Sequence, residues 1–350
     1  MSFIRNMQDK IIVTGGCGYI GSHTVVTLIN HNYEVVIIDD LSNSNPQILD
    51  RIQKITGVRP HFEQVDLKSY EATQSIFETH KDAKAVIHFA AHKAVAESIK
   101  NPLMYYQNNL FSLINTLKAQ QEHGINRLIF SSSATVYGNP SSMPITEDAP
   151  TQRSFSPYGN TKKMAEEILE DFTYSTSDIS VISLRYFNPI GAHESGQIGE
   201  FPTGVPNNLM PYITQTAAGV REKLMVFGND YPTKDGTPIR DYIHVVDLAE
   251  AHLKAVQRLL DPASTKPLEV FNLGTGKGFS VLEMINAFEA VSGSPLNYEI
   301  TERRPGDVAE MFASTALAKQ VLNWEATRGL KEMIQSSWIW EQNLRNELKK

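Results

Sequence analysis

The chain has 350 residues, of which 41% are hydrophobic and 20% are charged, as in ordinary globular proteins of one large or two closely joined domains. Its net charge of −7 argues against nonspecific binding to nucleic acid or to an anionic membrane surface, so neither is an expected partner. The single cysteine, Cys17, excludes an internal disulfide and a cysteine-based zinc site. The first ten residues lack the apolar segment of a secretory signal, and no apolar run of about eighteen residues follows. A cytoplasmic location is therefore expected.

The first forty residues carry the pattern of a dinucleotide-binding unit. A β-branched run at 10–14 is followed by glycines at 15, 16, 18 and 21 and then by apolar residues at helical spacing. Such a turn lets the backbone approach a pyrophosphate at the helix N-terminus. A second buried run ends at Asp39, where a carboxylate can accept both ribose hydroxyls of an adenosine and would repel a 2′-phosphate. The order of these features predicts dinucleotide binding, and Asp39 favours NAD over NADP.

The same alternation of strands and helices continues along the chain. Apolar runs predict further strands at 61–65, 85–89, 127–130, 179–184 and 269–273. Apolar periodicity predicts helices at 69–80, from 101, from 157, at 208–218 and at 245–260. This pattern is typical of an α/β fold, a doubly wound parallel sheet of the Rossmann type with a smaller, discontinuous α/β substrate domain. The expected NAD-binding domain covers 1–186 and about 240–274, and the expected substrate domain covers 187–239 and 275–350.

The stretch 156–167 carries the strongest chemical pattern. Ser156 can cap a helix whose first residue is Pro157, and Tyr158 and Lys162 continue its apolar stripe toward the helix start. A tyrosine that moves a proton near neutral pH needs its phenolate stabilised, which an ammonium one turn away and the helix N-terminus both do. We interpret Tyr158 as a general acid/base and Lys162 as the group that lowers its pKa. The alternative is a half-buried tyrosine beside the stem of a solvated lysine.

Polar side chains also cluster where strands end. The serines at 131–133 follow a strand, and ligands of open α/β sheets bind beyond the carboxyl ends of strands. A hydroxyl there could bond a substrate oxygen that also meets Tyr158, or it could merely satisfy backbone groups. His88 lies in the predicted strand at 85–89 and His92 follows it, and no third ligand stands at helical spacing, so we expect both to be packing residues at a strand end and expect no metal.

Two arginines in the loop-rich parts suit an anionic ligand. Arg240 and Arg304 carry the guanidinium group that makes bidentate contacts with phosphate, and Asn208 could place the N–H groups of a capped helix on the same anion. The alternative is that both arginines are ordinary surface residues.

Together these features resemble the UDP-glucose 4-epimerases of the extended short-chain dehydrogenase/reductase superfamily. The resemblance runs from about residue 10 to the last helix. Beside the glycine turn, Asp39 and the Tyr158–Lys162 pair, it rests on the strings SATVYG at 133–138, RYFN at 185–188, PNNLMP at 206–211, FGNDYP at 227–232 and RDYIH at 240–244.

The resemblance implies a redox-neutral reaction with one retained NAD. Tyr158 would take the proton of the sugar 4′-hydroxyl while the hydride passes to the nicotinamide, and Ser133 would bond the same sugar oxygen. Lys162 would lower the pKa of the tyrosine and hold the nicotinamide ribose. The 4-keto sugar would then turn over in the site and be reduced on its opposite face. A homodimer formed through the helices that begin near Asn101 and Pro157 is also implied.

The resemblance further implies that the domain at 187–239 and 275–350 is a UDP-sugar-binding domain, and it implies two sets of contacts. Cofactor contacts beside Tyr158 and Lys162 would be Gly15, Gly18, Tyr19, Ile20, Gly21, Asp39, Asn43, Ser44, Asp66, Leu67, Phe89, Ala90, Lys93 and Asn108. Substrate contacts beside Ser133 and Tyr158 would be Asn188, Asn208, Arg240, Arg304, Asp307 and Met311.

Met311 departs from the family patterns. Strict glucose and galactose enzymes resemble each other in having a bulky tyrosine near the sugar 2′-position, and broader ones have a small Cys or Ser. A flexible methionine could fill this space or swing aside. We expect UDP-glucose and UDP-galactose as main substrates, with weaker action on the N-acetylated pair.

Three other functions compete with this interpretation. Sugar-nucleotide 4,6-dehydratases resemble each other in carrying Thr-Asp-Glu where this chain has 133–135 as Ser-Ala-Thr, and dehydration needs the acid pair. A net sugar-nucleotide dehydrogenase needs a thiol that Cys17, in the glycine turn, does not provide. A nucleotide-sensing binding protein would not need Ser133, Tyr158 and Lys162.

Overall fold

The computed structural model describes residues 8–202, 204–264, 266–304 and 306–349, which fall into two compact units. The first unit covers the described residues up to Gly138, with Thr151–Arg185 and Ala249–Phe271. The second covers Asn139–Pro150, Tyr186–Leu248 and the described residues from Asn272 onward. The boundaries of these units differ from the predicted domains at 139–150 and 240–248. The assignment of NAD and UDP-sugar to the predicted domains stays a prediction.

The described residues form thirteen strands and eleven α-helices. The strands are β1 Gln8–Thr14, β2 Tyr33–Asp39, β3 His61–Gln64, β4 Ala85–His88, β5 Arg127–Ser133, β6 Ser180–Tyr186, β7 Asn188–Ile190, β8 Leu224–Phe227, β9 Ile239–His244, β10 Leu268–Leu273, β11 Gly278–Ser280, β12 Tyr298–Thr301 and β13 Glu310–Met311. The helices are α1 Tyr19–Asn30, α2 Gln47–Thr56, α3 Tyr70–Thr79, α4 Val95–Lys100, α5 Pro102–His123, α6 Pro157–Ser175, α7 Leu209–Ala217, α8 Val245–Leu260, α9 Val281–Ser292, α10 Ala316–Leu322 and α11 Leu330–Leu348. A short 3₁₀-helix covers Ala134–Tyr137.

A seven-stranded sheet forms the centre of the first unit. Its strand order is β10-β6-β5-β4-β1-β2-β3, and the pairings of β1 with β2 and β4, of β2 with β3 and of β4 with β5 are parallel. The order reverses between β1 and β4, which is the point where ligands bind in doubly wound sheets. The Rossmann fold class is confirmed, and β10, which matches the strand predicted at 269–273, joins the sheet at its edge.

Helices cover this sheet with apolar faces. Leu113 and Leu117 of α5 and Ala165 and Leu169 of α6 belong to one buried cluster with Phe130 of β5. The apolar stripe that the sequence predicts for α6, formed by Ala165, Leu169 and Phe172, is confirmed, because these residues belong to or pack against this cluster. Among the described residues, no helix combines the length and the apolar character that crossing a membrane requires.

The second unit is organised around β9. This strand pairs with β7 and β13 in parallel and with β11 antiparallel, while β8 and β12 form a separate parallel pair. A core of Met210, Ile213, Met284, Phe288 and Met333 joins α7, α9 and α11. The sequence predicts α7, but strands of two to four residues such as β7, β8, β11 and β13 are too short to show an alternating pattern.

Candidate active site

The glycine turn after β1 packs too closely for side chains. A Cβ on Gly21 would lie 2.3 Å from the carbonyl oxygen of Gly15. Gly15 itself has a φ of +67°, and a Cβ there would lie 2.8 Å from the backbone nitrogen of Ala90. Gly18 occupies the N-cap position of α1 and has no side chain to cap the helix. The turn therefore brings bare backbone and a helix N-terminus to the switch point of the sheet, which is the arrangement that binds a pyrophosphate.

Asp39 ends β2 with a buried carboxylate that is already held in place. It accepts hydrogen bonds from the backbone nitrogens of Cys17 at 3.0 Å and Leu41 at 2.9 Å and from the Ser44 hydroxyl at 2.9 Å. Burial raises the pKa of the Asp39 carboxyl, and these three donors oppose the shift. A carboxylate has about four lone-pair sites, so an acceptor site remains for a ribose hydroxyl. Asn43 lies in the turn between Leu41 and Ser44.

The segment after β4 lies against the end of β1. The backbone nitrogen of Phe89 donates to the Thr14 carbonyl at 3.0 Å, and that of Ala90 donates to the Thr14 hydroxyl at 3.4 Å. The Lys93 ammonium lies 5.7 Å from the ring centre of Tyr19, in the first turn of α1 beside Ile20. These predicted cofactor residues are thus brought together at the carboxyl ends of β1 and β4.

The segment after β3 is tied to α5. Asp66 accepts a hydrogen bond from the Lys68 backbone at 2.9 Å, and the Lys68 ammonium donates to the Asn108 side chain at 3.2 Å. The carbonyl oxygen of the buried Leu67 accepts from the Asn115 amide at 2.8 Å. Asp66, Leu67 and Asn108, three further predicted cofactor residues, are therefore neighbours.

The first turn of α6 places Tyr158 beside Ser133. The Ser156 hydroxyl accepts from the Gly159 nitrogen at 3.1 Å, which confirms it as the cap. Tyr158 is half-buried, and burial raises the pKa of its phenol, whereas its hydrogen bond with the Ser133 side chain lowers it. The Ser133 hydroxyl also accepts from the Thr135 hydroxyl at 3.0 Å. The structure therefore joins the two hydroxyl groups that the sequence assigns to one substrate oxygen.

Lys162 follows one turn later and is buried. Its ammonium donates to the Ser131 carbonyl and lies 4.8 Å from the ring centre of Phe130. Burial lowers the pKa of Lys162 to about 7, and the nearby Glu166 carboxylate opposes this shift. A lysine with this pKa changes charge near neutral pH. Its predicted effect on the pKa of Tyr158 stays a prediction.

The sequence interpretation did not include Glu166. Its carboxylate accepts from the Ser132 hydroxyl at 2.5 Å and from Nε and a terminal nitrogen of Arg185 at 3.0 and 2.7 Å. Arg185 also donates to the Tyr137 hydroxyl at 2.8 Å. The spacing in the sequence could have pointed to Glu166, because it stands four residues after Lys162 and eight after Tyr158 and so lies on the same helix face.

The two histidines at and beyond the end of β4 make contacts within the protein. His88 is buried, shares a 3.0 Å hydrogen bond with the Thr14 hydroxyl, and has its pKa lowered to about 3 by burial and by Lys162. The ring centre of His92 lies 5.5 Å from that of Tyr105, and burial lowers the pKa of His92. These contacts fit the packing role that the sequence favours for both histidines.

In the second unit, β9 and its neighbouring strands carry three of the predicted substrate residues. Met311 of β13 is the pairing partner of Arg240, and Asn188 of β7 pairs with Tyr242. The Asn188 amide also donates to the Asp241 carbonyl at 2.9 Å. Asn188, Arg240 and Met311 therefore lie on three adjacent strands, although 123 positions separate the first from the last.

Asp307 links the two predicted phosphate-binding arginines. Its carboxylate forms an ion pair with Arg240, and its backbone nitrogen donates to the Arg304 carbonyl at 3.2 Å. The Arg304 guanidinium lies 3.8 Å from the ring centre of Phe227, and burial lowers its pKa. Two cations are thus held in one region of this unit.

Asn208 occupies the predicted N-cap position of α7, but its side chain does not cap the helix. Its amide donates instead to the Glu200 carboxylate at 2.7 Å. The N–H groups at this helix start are therefore not covered by Asn208, and a helix N-terminus favours negative charge.

Comparison with known proteins identifies the family. The protein family described as GDP-mannose 4,6 dehydratase matches residues 12–337. The UDP-glucose 4-epimerase of Bacillus subtilis is 54% identical over 331 residues, which cover 95% of this chain and 96% of the relative. The chain belongs to the UDP-glucose 4-epimerase family.

Solved structures of epimerases share the fold over nearly the whole chain. The enzyme from Stenotrophomonas maltophila, with bound NAD and formylated UDP-arabinopyranose, is 46% identical with a TM-score of 0.94, and the alignment covers 97% of this chain and 100% of that one. The enzyme from Bifidobacterium longum, in complex with NAD+ and UDP, is 43% identical with a TM-score of 0.92 over 96% of this chain and 99% of that one. The predicted membership of the epimerase family is confirmed.

Proposed function

We propose that this chain interconverts UDP-galactose and UDP-glucose by transient oxidation at the sugar C4 with a tightly bound NAD. The carrying observation is its near full-length likeness to UDP-glucose 4-epimerases. The hydrogen-bonded Ser133 and Tyr158 on the same chain provide hydroxyl groups suited to that chemistry. The chain is thus an NAD-dependent isomerase.

The residues of the first unit fit NAD. Bare backbone at Gly15 and Gly21 would receive the pyrophosphate, and the carboxylate of Asp39 would accept the adenosine ribose hydroxyls. The remaining contacts proposed from the sequence are Gly18, Tyr19, Ile20, Asn43, Ser44, Asp66, Leu67, Phe89, Ala90, Lys93 and Asn108. When bound, NAD supplies the redox chemistry at C4, and because each turnover returns what it takes, one cofactor suffices.

The proton is moved by the chain itself. We assign the proton of the sugar 4′-hydroxyl to the Tyr158 oxygen, with the Ser133 hydroxyl bonding the same sugar oxygen. The Ser133 hydrogen bond lowers the pKa of Tyr158 against the effect of burial, which favours the phenolate needed for proton uptake. Lys162, as an ammonium, would stabilise this phenolate further and bond the nicotinamide ribose.

We assign the UDP-sugar contacts of the second unit by residue type. Arg240 and Arg304 would bind the diphosphate, since guanidinium groups make the strongest such contacts and Asp307 already orients Arg240. Asn188 and Asn208 would contribute amide hydrogen bonds. Met311, paired in register with Arg240, would face the sugar 2′-position.

UDP-glucose and UDP-galactose are the proposed main substrates, with weaker action on UDP-N-acetylglucosamine and UDP-N-acetylgalactosamine. The methionine side chain has three rotatable bonds and can move aside at a small cost, so it restricts an N-acetyl group less than a rigid ring would. Equal kcat/KM values for UDP-glucose and UDP-N-acetylglucosamine would contradict this ranking.

Dehydration is disfavoured by the residues after β5. The matching family is described as a dehydratase, yet this chain has Ala134 and Thr135 next to Ser133, and Ala134 is buried. Neither side chain carries the carboxyl group that eliminates water from the sugar. NMR spectra of the reaction are therefore expected to contain no 4-keto-6-deoxy sugar.

A homodimer formed through α5 and α6 is part of the proposal. On α5, Leu103 is 80% exposed and Phe111, two turns later on the same face, is 49% exposed. A second copy that packs against this face would bury both. Light scattering is expected to give twice the chain mass, and Phe111→Glu is expected to lower it. The cytoplasmic location expected from the sequence is likewise proposed, and cell fractionation tests it.

One experiment tests the activity. Purified protein is mixed with UDP-galactose without added NAD, and the anomeric and H4 signals are followed by proton NMR. Conversion to UDP-glucose up to equilibrium, lost in Tyr158→Phe, is expected. If no conversion occurs even after NAD is added, the proposed function is wrong.

A further inference from the structure

Three consecutive serines of β5 engage three residues of α6. Ser133 bonds Tyr158 through its hydroxyl, Ser131 accepts the Lys162 ammonium through its carbonyl, and Ser132 donates its hydroxyl to Glu166 at 2.5 Å. The three α6 residues stand four apart and therefore share one face of the helix. The end of β5 thus fixes the position of this helix at three successive turns.

The third contact differs from the other two because it is anchored from another strand. Arg185 of β6 binds both oxygens of the Glu166 carboxylate, and the two side chains are 7% and 12% exposed. Arg185 is itself held by the Tyr137 hydroxyl and lies 4.8 Å from the Tyr137 ring centre. A bidentate pair of this kind fixes both position and orientation of the carboxylate.

We propose that Glu166 is a positioning residue for the epimerase reaction, because it fixes α6 on the end of β5 where Tyr158 meets Ser133 and Lys162 meets Ser131. Glu166 does not touch substrate or cofactor in this role. It acts through the two residues that do, and the inference rests on the proposed function. A displacement of about 1 Å in catalytic groups can cost about 100-fold in rate, so such an anchor has a measurable effect.

Glu166 also supplies the negative charge next to Lys162. Also near the Lys162 ammonium are His88 on β4 and the uncharged Phe130 ring and Ser131 carbonyl on β5. Tyr158 stands one turn earlier on the same helix. His88 has a pKa lowered to about 3 and is neutral near neutral pH, and Arg185 is bound to Glu166. Loss of the Glu166 charge would therefore lower the pKa of Lys162 further below its usual value.

The test compares Glu166→Gln with Glu167→Gln in the holoenzyme. Glu167 is the neighbouring, exposed residue that pairs with Lys163, and its variant is expected to match the wild type. Glu166→Gln is expected to lower kcat for UDP-galactose about tenfold or more, with KM within about twofold. The alkaline limb of its kcat profile is expected to move down by about one pH unit, because an uncharged Lys162 no longer assists Tyr158.

A second variant covers the case in which Glu166→Gln, which removes the carboxylate that balances the Arg185 charge, does not fold. Ser132→Ala keeps the ion pair and removes the strand contact, and it is expected to lower kcat about threefold without moving the pH profile. A kcat equal to that of the wild type in Ser132→Ala, or in folded Glu166→Gln with an unchanged pH profile, overturns the inference. An inactive wild type would instead contradict the proposed function, so the two failures are distinguishable.

Discussion

Each unit holds a mostly buried carboxylate beside residues proposed to contact ligands, and the two carboxylates have different hydrogen-bond partners. In the first unit, Glu166 is paired with the Arg185 guanidinium and accepts the Ser132 hydroxyl. In the second, the fully buried Asp241 accepts backbone N–H groups of three residues at 2.8 to 3.1 Å and one hydroxyl at 2.7 Å. These donors belong to Thr275, Gly276 and Ala313.

The difference separates two structural tasks. Glu166 and Arg185 orient side chains, because they join α6 to β5 and β6 at the helix face that carries Tyr158 and Lys162. Asp241 instead orients backbone, because it ties the residues after β10 and β13 to β9. Proton transfer requires side chains that are fixed in position, whereas a ligand-binding strand requires a fixed register with its neighbours. With the register of β9 fixed through the backbone, the Arg240 side chain can remain in a partly exposed ion pair.

The largest expected effect is the loss of proton transfer by the first unit. Tyr158→Phe removes the hydroxyl that we assign to the proton and keeps the ring, so kcat with UDP-galactose is expected to fall by about 10³-fold. The thermal unfolding midpoint is expected to stay close to that of the wild type, since the ring packing remains. Activity within about tenfold of the wild type would exclude Tyr158 as the acid/base.

The next effect concerns the second unit's carboxylate. Asp241→Asn retains one acceptor oxygen but points an amide N–H₂ toward backbone donors, so the free energy of unfolding is expected to fall by about 3 kcal/mol. Urea denaturation followed by fluorescence measures the change. The control is Glu299→Gln, which breaks the exposed pair with Lys223 and is expected to cost less than about 0.5 kcal/mol. Equal stability of the two variants would contradict the role of Asp241.

Substitution of Arg240 separates ligand binding from catalysis. Arg240→Met removes the guanidinium but keeps much of the side-chain length, and it is expected to raise KM for UDP-galactose about 10- to 100-fold with a smaller change in kcat. Arg240→Lys is expected to restore only part of the affinity, because an ammonium does not make bidentate contacts. A fall in kcat at unchanged KM would place Arg240 in the chemistry rather than in binding.

The smallest expected effect is on substrate choice. Met311→Ser enlarges the space proposed for the sugar 2′-substituent, and the ratio of kcat/KM for UDP-N-acetylglucosamine to that for UDP-glucose is expected to rise about tenfold. Met311→Tyr is expected to lower the same ratio. If both variants keep the wild-type ratio, another residue sets this selectivity.

Local sequence patterns were sufficient to predict much of the structure of the first unit. The Ser156 cap of α6 and the apolar stripe that Lys162 continues could be predicted, because both depend on residues within one or two helical turns. The Glu166–Arg185 pair was not, because its members are 19 residues apart on different elements. Non-local contacts also decided the second unit, where Asp241 binds a residue 72 positions away and the Asn208 amide donates to Glu200 instead of capping α7.

The serines at 131–133 are identical in chemistry, yet the structure uses different atoms of each. Ser131 binds Lys162 through its main-chain oxygen, which every amino acid supplies, whereas Ser132 and Ser133 act through their hydroxyl groups. Mutational tolerance along this triplet is therefore uneven. In a selection for activity, small apolar residues such as Ala would survive at position 131, would survive with reduced activity at 132, and would be lost at 133, where only hydroxyl-bearing residues would be retained.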